Sequence, residues 1–172
     1  MAKLLGSSRR LGLGDWSVIF EEIIVEPARK EDAQRLGELV FAMERELWPE
    51  GGFDVERFRL VAEDILFDDG SRYWAFLARS QGELLGLITL VEKKAIYAGG
   101  RFGEIIEFYV VPSGRCAGVG KTLLNHAMHK GREMGWPYLE VGAPRQPAWK
   151  TTLSFYLHNE FREIGPRLER EI

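Results

Sequence analysis

The sequence predicts a single α/β domain, a mixed and mostly antiparallel sheet with helices on both faces, and three observations carry that reading. The chain has 172 residues, 45% apolar and 28% charged, enough for one full core but short for two. Runs rich in β-branched and aromatic residues alternate with segments of helical period, as in a sheet covered by helices. Three of those runs are separated only by short turns, the spacing of an antiparallel meander.

Residues 1–16, MAKLLGSSRRLGLGDW, are basic and rich in Gly and Ser, and read as a flexible leader. Arg9-Arg10 would open a twin-arginine signal only if an apolar stretch followed, and Glu21 and Glu22 arrive first. Val18 to Glu26, with Ile19, Phe20, Ile23, Ile24 and Val25, reads as the first strand. After the turn at Pro27 to Asp32, Leu36, Val40, Met43 and Leu47 recur at helical spacing until Trp48-Pro49-Glu50-Gly51-Gly52 breaks the helix. Asp54 caps a second helix carrying Val55, Phe58, Val61, Ala62 and Ile65, which stops at Asp68-Asp69-Gly70. Glu44, Glu46, Glu50, Asp54 and Glu56 crowd the break between the two helices. They read either as a solvated acidic surface or as a funnel for a cationic substrate.

Tyr73 to Arg79 and Leu84 to Glu92 are strands joined by the hairpin turn Ser80-Gln81-Gly82-Glu83. Tyr97 to Arg101 turns the chain into a third strand, Glu104 to Val111, which Pro112 ends because it lacks a backbone donor. The loop Ser113-Gly114-Arg115-Cys116-Ala117-Gly118-Val119-Gly120 follows. A helix then puts Val119, Leu123, Leu124, Ala127, Met128 and Met134 on one face and Lys121, Asn125, His129 and Arg132 on the other. Gly135 closes that helix, Trp136 to Ala143 reads as a strand, and Ala148 to Asn159 as the last helix. Phe161 to Ile172 reads as short extended segments broken at Gly165-Pro166.

The net charge of −3 does not favour nonspecific nucleic-acid binding, and the longest apolar run, Leu84 to Val91, is far too short to span a membrane. Cys116 is the single cysteine, so an internal disulfide framework is excluded and a reducing cytoplasm is the natural setting. No His or base near Cys116 in the sequence supports it as a nucleophile. His126 and His129 share a helix but lack a nearby carboxylate or cysteine set; they read as surface histidines, and no metal is expected.

Three glycines at a helix start, with Arg115 and Lys121 beside them, make a ready phosphate site, because the first turn offers unpaired N–H groups at the positive end of the dipole. Gly120-Lys121-Thr122 is the usual ending of a Walker A loop, but Arg115 stands where that motif needs its first glycine. Arg115-Cys116-Ala117-Gly118-Val119-Gly120 instead resembles the Arg/Gln-x-x-Gly-x-Gly/Ala loop of the GNAT superfamily of acyl-CoA-dependent N-acyltransferases, which lies between a strand and a helix as here. The segment from Ile24 to Ala33 is also similar to the way many members begin, and the resemblance spans roughly residues 23–165.

The resemblance implies a GNAT-like N-acetyltransferase domain over residues 17–172 that uses acetyl-CoA as co-substrate. It implies that the stretch Arg115, Cys116, Ala117, Gly118, Val119, Gly120, Lys121 and Thr122 holds the diphosphate. Backbone groups of Tyr109, Val110 and Val111 would pair with the pantetheine, and one N–H there would polarise the thioester carbonyl. Tyr156, in Ser154-Phe155-Tyr156, stands where the family keeps the acid that protonates the leaving thiolate. Glu104 and Glu107 are candidate bases or ammonium binders; they are three apart, so only a bulge could aim both at one face. Trp149 replaces the Asn by which many members bond the cofactor, and Glu160-Phe161 replaces the usual Gly-Phe. The expected reaction is acetyl transfer to a small cationic primary amine by direct attack in a ternary complex. The alternatives are a non-catalytic acyl-CoA-binding module and a nucleotide-binding protein. The strand from Glu104 and the one after it would lie parallel and splay around acetyl-CoA. No nucleic acid or membrane partner is expected, and a homodimer is left open.

Overall fold

The computed structural model describes residues 22–170. Five strands form one sheet: β1 (Ile24–Pro27), β2 (Tyr73–Ser80), β3 (Glu83–Ala95), β4 (Gly100–Val110) and β5 (Leu139–Val141), in that order across the sheet. The first four run antiparallel to their neighbours, and β5 lies parallel to β4. Helices α1 (Ala33–Leu47) and α2 (Val55–Phe67) precede β2; α3 (Val119–Glu133) joins β4 to β5, and α4 (Lys150–His158) follows.

Alternation along the strands builds two cores, one on each face. Leu77, Leu87 and Tyr109 pack with Leu36, Leu39 and Ala62 of α1 and α2. Ile88, Leu90 and Ile105 pack with Leu123, Leu124 and Ala127 of α3. Leu77, Leu87, Ile88 and Leu90 are fully buried, and each such side chain contributes about 1.5–3 kcal/mol. The Asp54 side chain accepts from the Glu56 amide at 3.0 Å, so the expected cap starts α2. A Cβ on Gly37 would come within 2.7 Å of the Arg59 backbone, so glycine lets α1 and α2 cross closely beneath the sheet.

The antiparallel ladder between β3 and β4 is interrupted once. Ile88 faces Phe108 and Leu90 faces Ile105, so Thr89 alone is opposed by two residues, Ile106 and Glu107. Pairing between β4 and β5 covers only Gly103, Glu104 and Ile105 and stops at this bulge. Beyond it the two strands part, and the last residues of β4 have a free edge.

Several expected boundaries move. The strand expected over Trp136–Ala143 shrinks to Leu139–Val141. Trp136 turns its ring into the core instead, 8% exposed, with its indole N–H donating to Glu92 at 2.8 Å, and Pro137 has no donor for a ladder. The last helix starts at Lys150 and not at Ala148. The first strand begins at Ile24; the expected residues 18–21 and the leader 1–16 lie outside the described residues. His126 is half-buried, its ring 4.5 Å from that of Phe76, where a surface position was expected. Burial, with His129 beside it, lowers its pKa.

Candidate active site

The loop between β4 and α3 reverses the chain through a short turn at Pro112–Gly114, a positive φ of 63° at Cys116 and 86° at Gly118. Gly118 is the left-handed residue from which α3 starts, and no side chain caps the helix. Thr122 is the first residue bonded within it, its N–H donating to the Gly118 carbonyl at 3.0 Å. The amides of Val119, Gly120 and Lys121 therefore stand ahead of the helical ladder. A Cβ on Gly118, the residue from which these amides follow, would meet nothing within 4 Å, so the loop is open at that point. This is a cradle that fits a diphosphate.

Arg115 is not a free charge in that cradle, as the sequence led one to expect. Its Nη2 donates to both oxygens of Glu46 at 2.9 and 2.7 Å, its Nε donates to the Val110 carbonyl at 3.0 Å, and its guanidinium lies 5.6 Å from the Tyr109 ring centre. The Tyr109 hydroxyl donates to the same Glu46 at 2.6 Å, and burial together with that carboxylate pushes its pKa up to about 12. Arg115 thus ties the end of α1 to β4. Lys121 is exposed and makes no ion pair among the described residues, so the loop's uncompensated cation is Lys121.

The free edge of β4 can be assigned residue by residue. The Val111 amide donates to the Leu85 carbonyl at 3.0 Å, so it is already taken. Antiparallel alternation sends the Tyr109 backbone the same way, toward Leu87, and the Phe108 and Val110 backbone groups toward β5. Of the expected Tyr109, Val110 and Val111, only Val110 presents its backbone to the gap, and Phe108 joins it. Sequence reading missed Phe108 because the phase of the ladder depends on the bulge.

The bulge also settles which way the two glutamates point. Thr89, Val91 and Lys93 share a face of β3; Glu107 accepts from the Thr89 hydroxyl and Glu104 pairs with Lys93, so both glutamates lie on the α1–α2 face. Their surroundings differ. Glu104 is 5% exposed and lies between Lys93 and Arg167, the latter at 3.3 Å. Glu107 lines a cavity of about 400 Å³ between α1, α2 and the sheet, together with Tyr73 and Thr89. Tyr73 and Thr89 both donate to its Oε2, and the Glu107 amide donates back to the Thr89 hydroxyl at 2.9 Å. Its Oε1 has no partner among the described residues. Burial and the Glu107 charge push the Tyr73 pKa far up, so this phenol stays a donor.

Glu44 stands one helical turn beyond Val40, a residue of the cavity wall. Its pKa is raised, first by burial and then by the charge of Glu107. Glu44 was legible only as one of a run of surface acids; nothing in the sequence marks it as feeling the charge of Glu107.

A carboxylate whose folded pKa is raised favours the fold only below the ordinary carboxylate range. That contribution is lost as pH rises through the raised value, and at neutral pH the ionised group opposes folding. Glu44→Gln is expected to raise Tm at pH 7 by about 1–3 °C and to leave it unchanged near pH 4. Thermal unfolding at the two pH values reads this, and an equal shift at both would mean that the charge is not the cause.

Tyr156 on α4 is 5% exposed and sits among Phe108, Phe155 and Phe161, with ring centres 6.2, 5.7 and 5.4 Å away. Burial raises its pKa well above that of an ordinary phenol. Its hydroxyl takes no hydrogen bond among the described residues. Trp149 forms the non-helical start of α4 and offers no cap. Cys116 is exposed, and no group of three or more His, Cys, Asp or Glu that could hold a metal ion occurs among the described residues. Nor is any described helix long and apolar enough to cross a membrane.

A loop cradle at a strand-to-helix turn and a parted parallel pair are parts expected from the sequence resemblance, and the bulge meets the condition under which Glu104 and Glu107 share a face. The sequence profile of the acetyltransferase (GNAT) family matches residues 33–156, more than half of the chain. The chain belongs to the GNAT acetyltransferase family.

Among solved structures this GNAT chain is similar to a ribosomal-protein-alanine N-acetyltransferase from Brucella melitensis biovar Abortus 2308, at 22% identity and a TM-score of 0.70 over 88% of this chain and 99% of that one. It is similar to an aminoglycoside acetyltransferase from an uncultured soil metagenomic sample, in complex with trehalose, at 17% identity and a TM-score of 0.71 over 90% and 99%. A predicted acetyltransferase with acetyl-CoA from Clostridium acetobutylicum is similar at 14% identity and a TM-score of 0.70 over 87% and 96%. These likenesses establish the shared fold. No curated protein matches by sequence.

Proposed function

We propose that this GNAT protein transfers an acetyl group from acetyl-CoA to a primary amine by direct attack in a ternary complex. The observation that carries the reading is the bulge at Ile106–Glu107. On one side it ends the pairing with β5, and on the other it turns Glu107 into the cavity, which supports a donor held in the gap reaching an acceptor held in the cavity across β4.

Acetyl-CoA would supply an acetyl thioester. The amides of Val119, Gly120 and Lys121 would hold its diphosphate, with Lys121 adding charge. The amides of Phe108 and Val110 on the free edge would orient the pantetheine and face the developing oxyanion. The amine arrives as an ammonium, with an ordinary pKa around 10, and must lose a proton before it attacks. Glu107 Oε1 holds it and takes the proton. As the new C–N bond forms and the C–S bond breaks, Tyr156 gives its phenolic proton to the sulfur, the nitrogen sheds its second proton to solvent, and the phenolate takes a proton back from solvent. Glu104, between Lys93 and Arg167, serves the sheet and not the chemistry. Exposed Cys116 lies in the phosphate loop and takes no part.

Gly118→Val tests the cofactor half. The side chain would enter the open space at this point of the loop and strain a left-handed residue. Coenzyme A affinity, measured by calorimetry on the folded variant, is expected to fall at least about tenfold. Unchanged affinity would place the diphosphate elsewhere. The same titration with ATP separates this reading from a nucleotide site.

A further inference from the structure

The walls of the acceptor cavity carry a second message. Leu36, Val40, Phe53, Phe58, Val61 and Ile65 line it, and Phe53 and Phe58 meet edge to face with ring centres 6.0 Å apart. Only two carboxylates are among the lining residues. Glu107 is one, with Tyr73 and Thr89 on its Oε2 and its Oε1 unpartnered among the described residues. Asp54 is the other; it is exposed and its Oδ1 already caps α2, and Arg57 also lines the cavity. One end of the cavity therefore offers an unpartnered carboxylate oxygen to a positive charge, and apart from Asp54 and Arg57 the walls away from it are apolar. At about 400 Å³ the volume lies near the lower end of small-molecule sites, roughly 300–1,000 Å³.

Resting on the acetyltransferase reading, the geometry points to a narrower acceptor class: a monoamine whose one ammonium is carried on an apolar, arylalkyl-sized body. A polyamine or an aminoglycoside would bring further charges or hydroxyls against Leu, Val, Ile and Phe, where they would lose water and gain no partner. An arylalkylamine puts its ring beside Phe53 and Phe58 and its ammonium on Glu107. The acceptor is thus selected by what the walls reject as much as by what the floor attracts.

The test is kcat/KM for thiol release at saturating acetyl-CoA with propylamine, hexylamine, 2-phenylethylamine, spermidine and an aminoglycoside. A single methylene in an apolar pocket is worth roughly 10- to 200-fold. 2-Phenylethylamine is therefore expected to exceed propylamine by at least about a hundredfold and spermidine by at least about tenfold. Val61 lines the cavity yet is 51% exposed, so a substitution there is compatible with folding. Val61→Asp should cost 2-phenylethylamine at least about tenfold and favour spermidine in the ratio, with acetyl-CoA affinity unchanged; Val61→Thr serves, with a smaller shift in the same direction, if the Asp variant does not fold. Transfer that proceeds best with spermidine or the aminoglycoside overturns the narrower class and leaves the acetyltransferase standing. No transfer to any of the five, with acetyl-CoA bound, overturns both.

Discussion

Tyr156→Phe is expected to lower turnover at least about tenfold and as much as 10⁴-fold, the range of general-acid help to a leaving group. Coenzyme A leaves as a thiolate, and in a cleft with little water that charge is costly unless a proton meets it. Tyr156 keeps its proton at every working pH because burial raises its pKa. The substitution leaves the ring among Phe108, Phe155 and Phe161, and the lost hydroxyl bonds nothing among the described residues. Acetyl-CoA affinity and Tm should therefore hold while kcat falls. A fall of less than tenfold would give the acid role to water. If wild-type protein binds acetyl-CoA and acetylates no amine at all, the chain is a binding module.

The second large effect belongs to Glu107→Gln, with an expected loss in kcat/KM of at least about a hundredfold and acetyl-CoA binding intact. The amide keeps the shape and accepts from Tyr73 and Thr89, but it can neither pair with an ammonium nor take its proton. Glu104→Gln discriminates the two glutamates. Its loss should appear in Tm, because Lys93 and Arg167 lose their partner, while kcat/KM for the amine changes little. If Glu104→Gln abolishes activity at unchanged Tm and Glu107→Gln does not, the assignment of the two is reversed.

Comparing these residues shows where local sequence stops being informative. Period and punctuation located β2, β3, α1, α2 and α3 to within a few residues, since Asp54, Pro112, Gly118 and Gly135 act on backbone within one turn of themselves. The family followed from the loop Arg115–Gly120 for the same reason: a diphosphate cradle is built from consecutive amides. The bulge at Thr89, the truncation of β5 by the Trp136–Glu92 bond and the bond of Arg115 to Glu46 were decided by the tertiary structure. Each joins residues that are distant in the chain: Glu46 is 69 positions from Arg115, and Trp136 is 44 from Glu92. A local pattern records the preferences of neighbours; it carries no information about which distant charge will share a buried space. That is why the sequence alone determined where coenzyme A would be sought, and only the packing of α1 and α2 on the bulged strand decided which carboxylate faces the cavity.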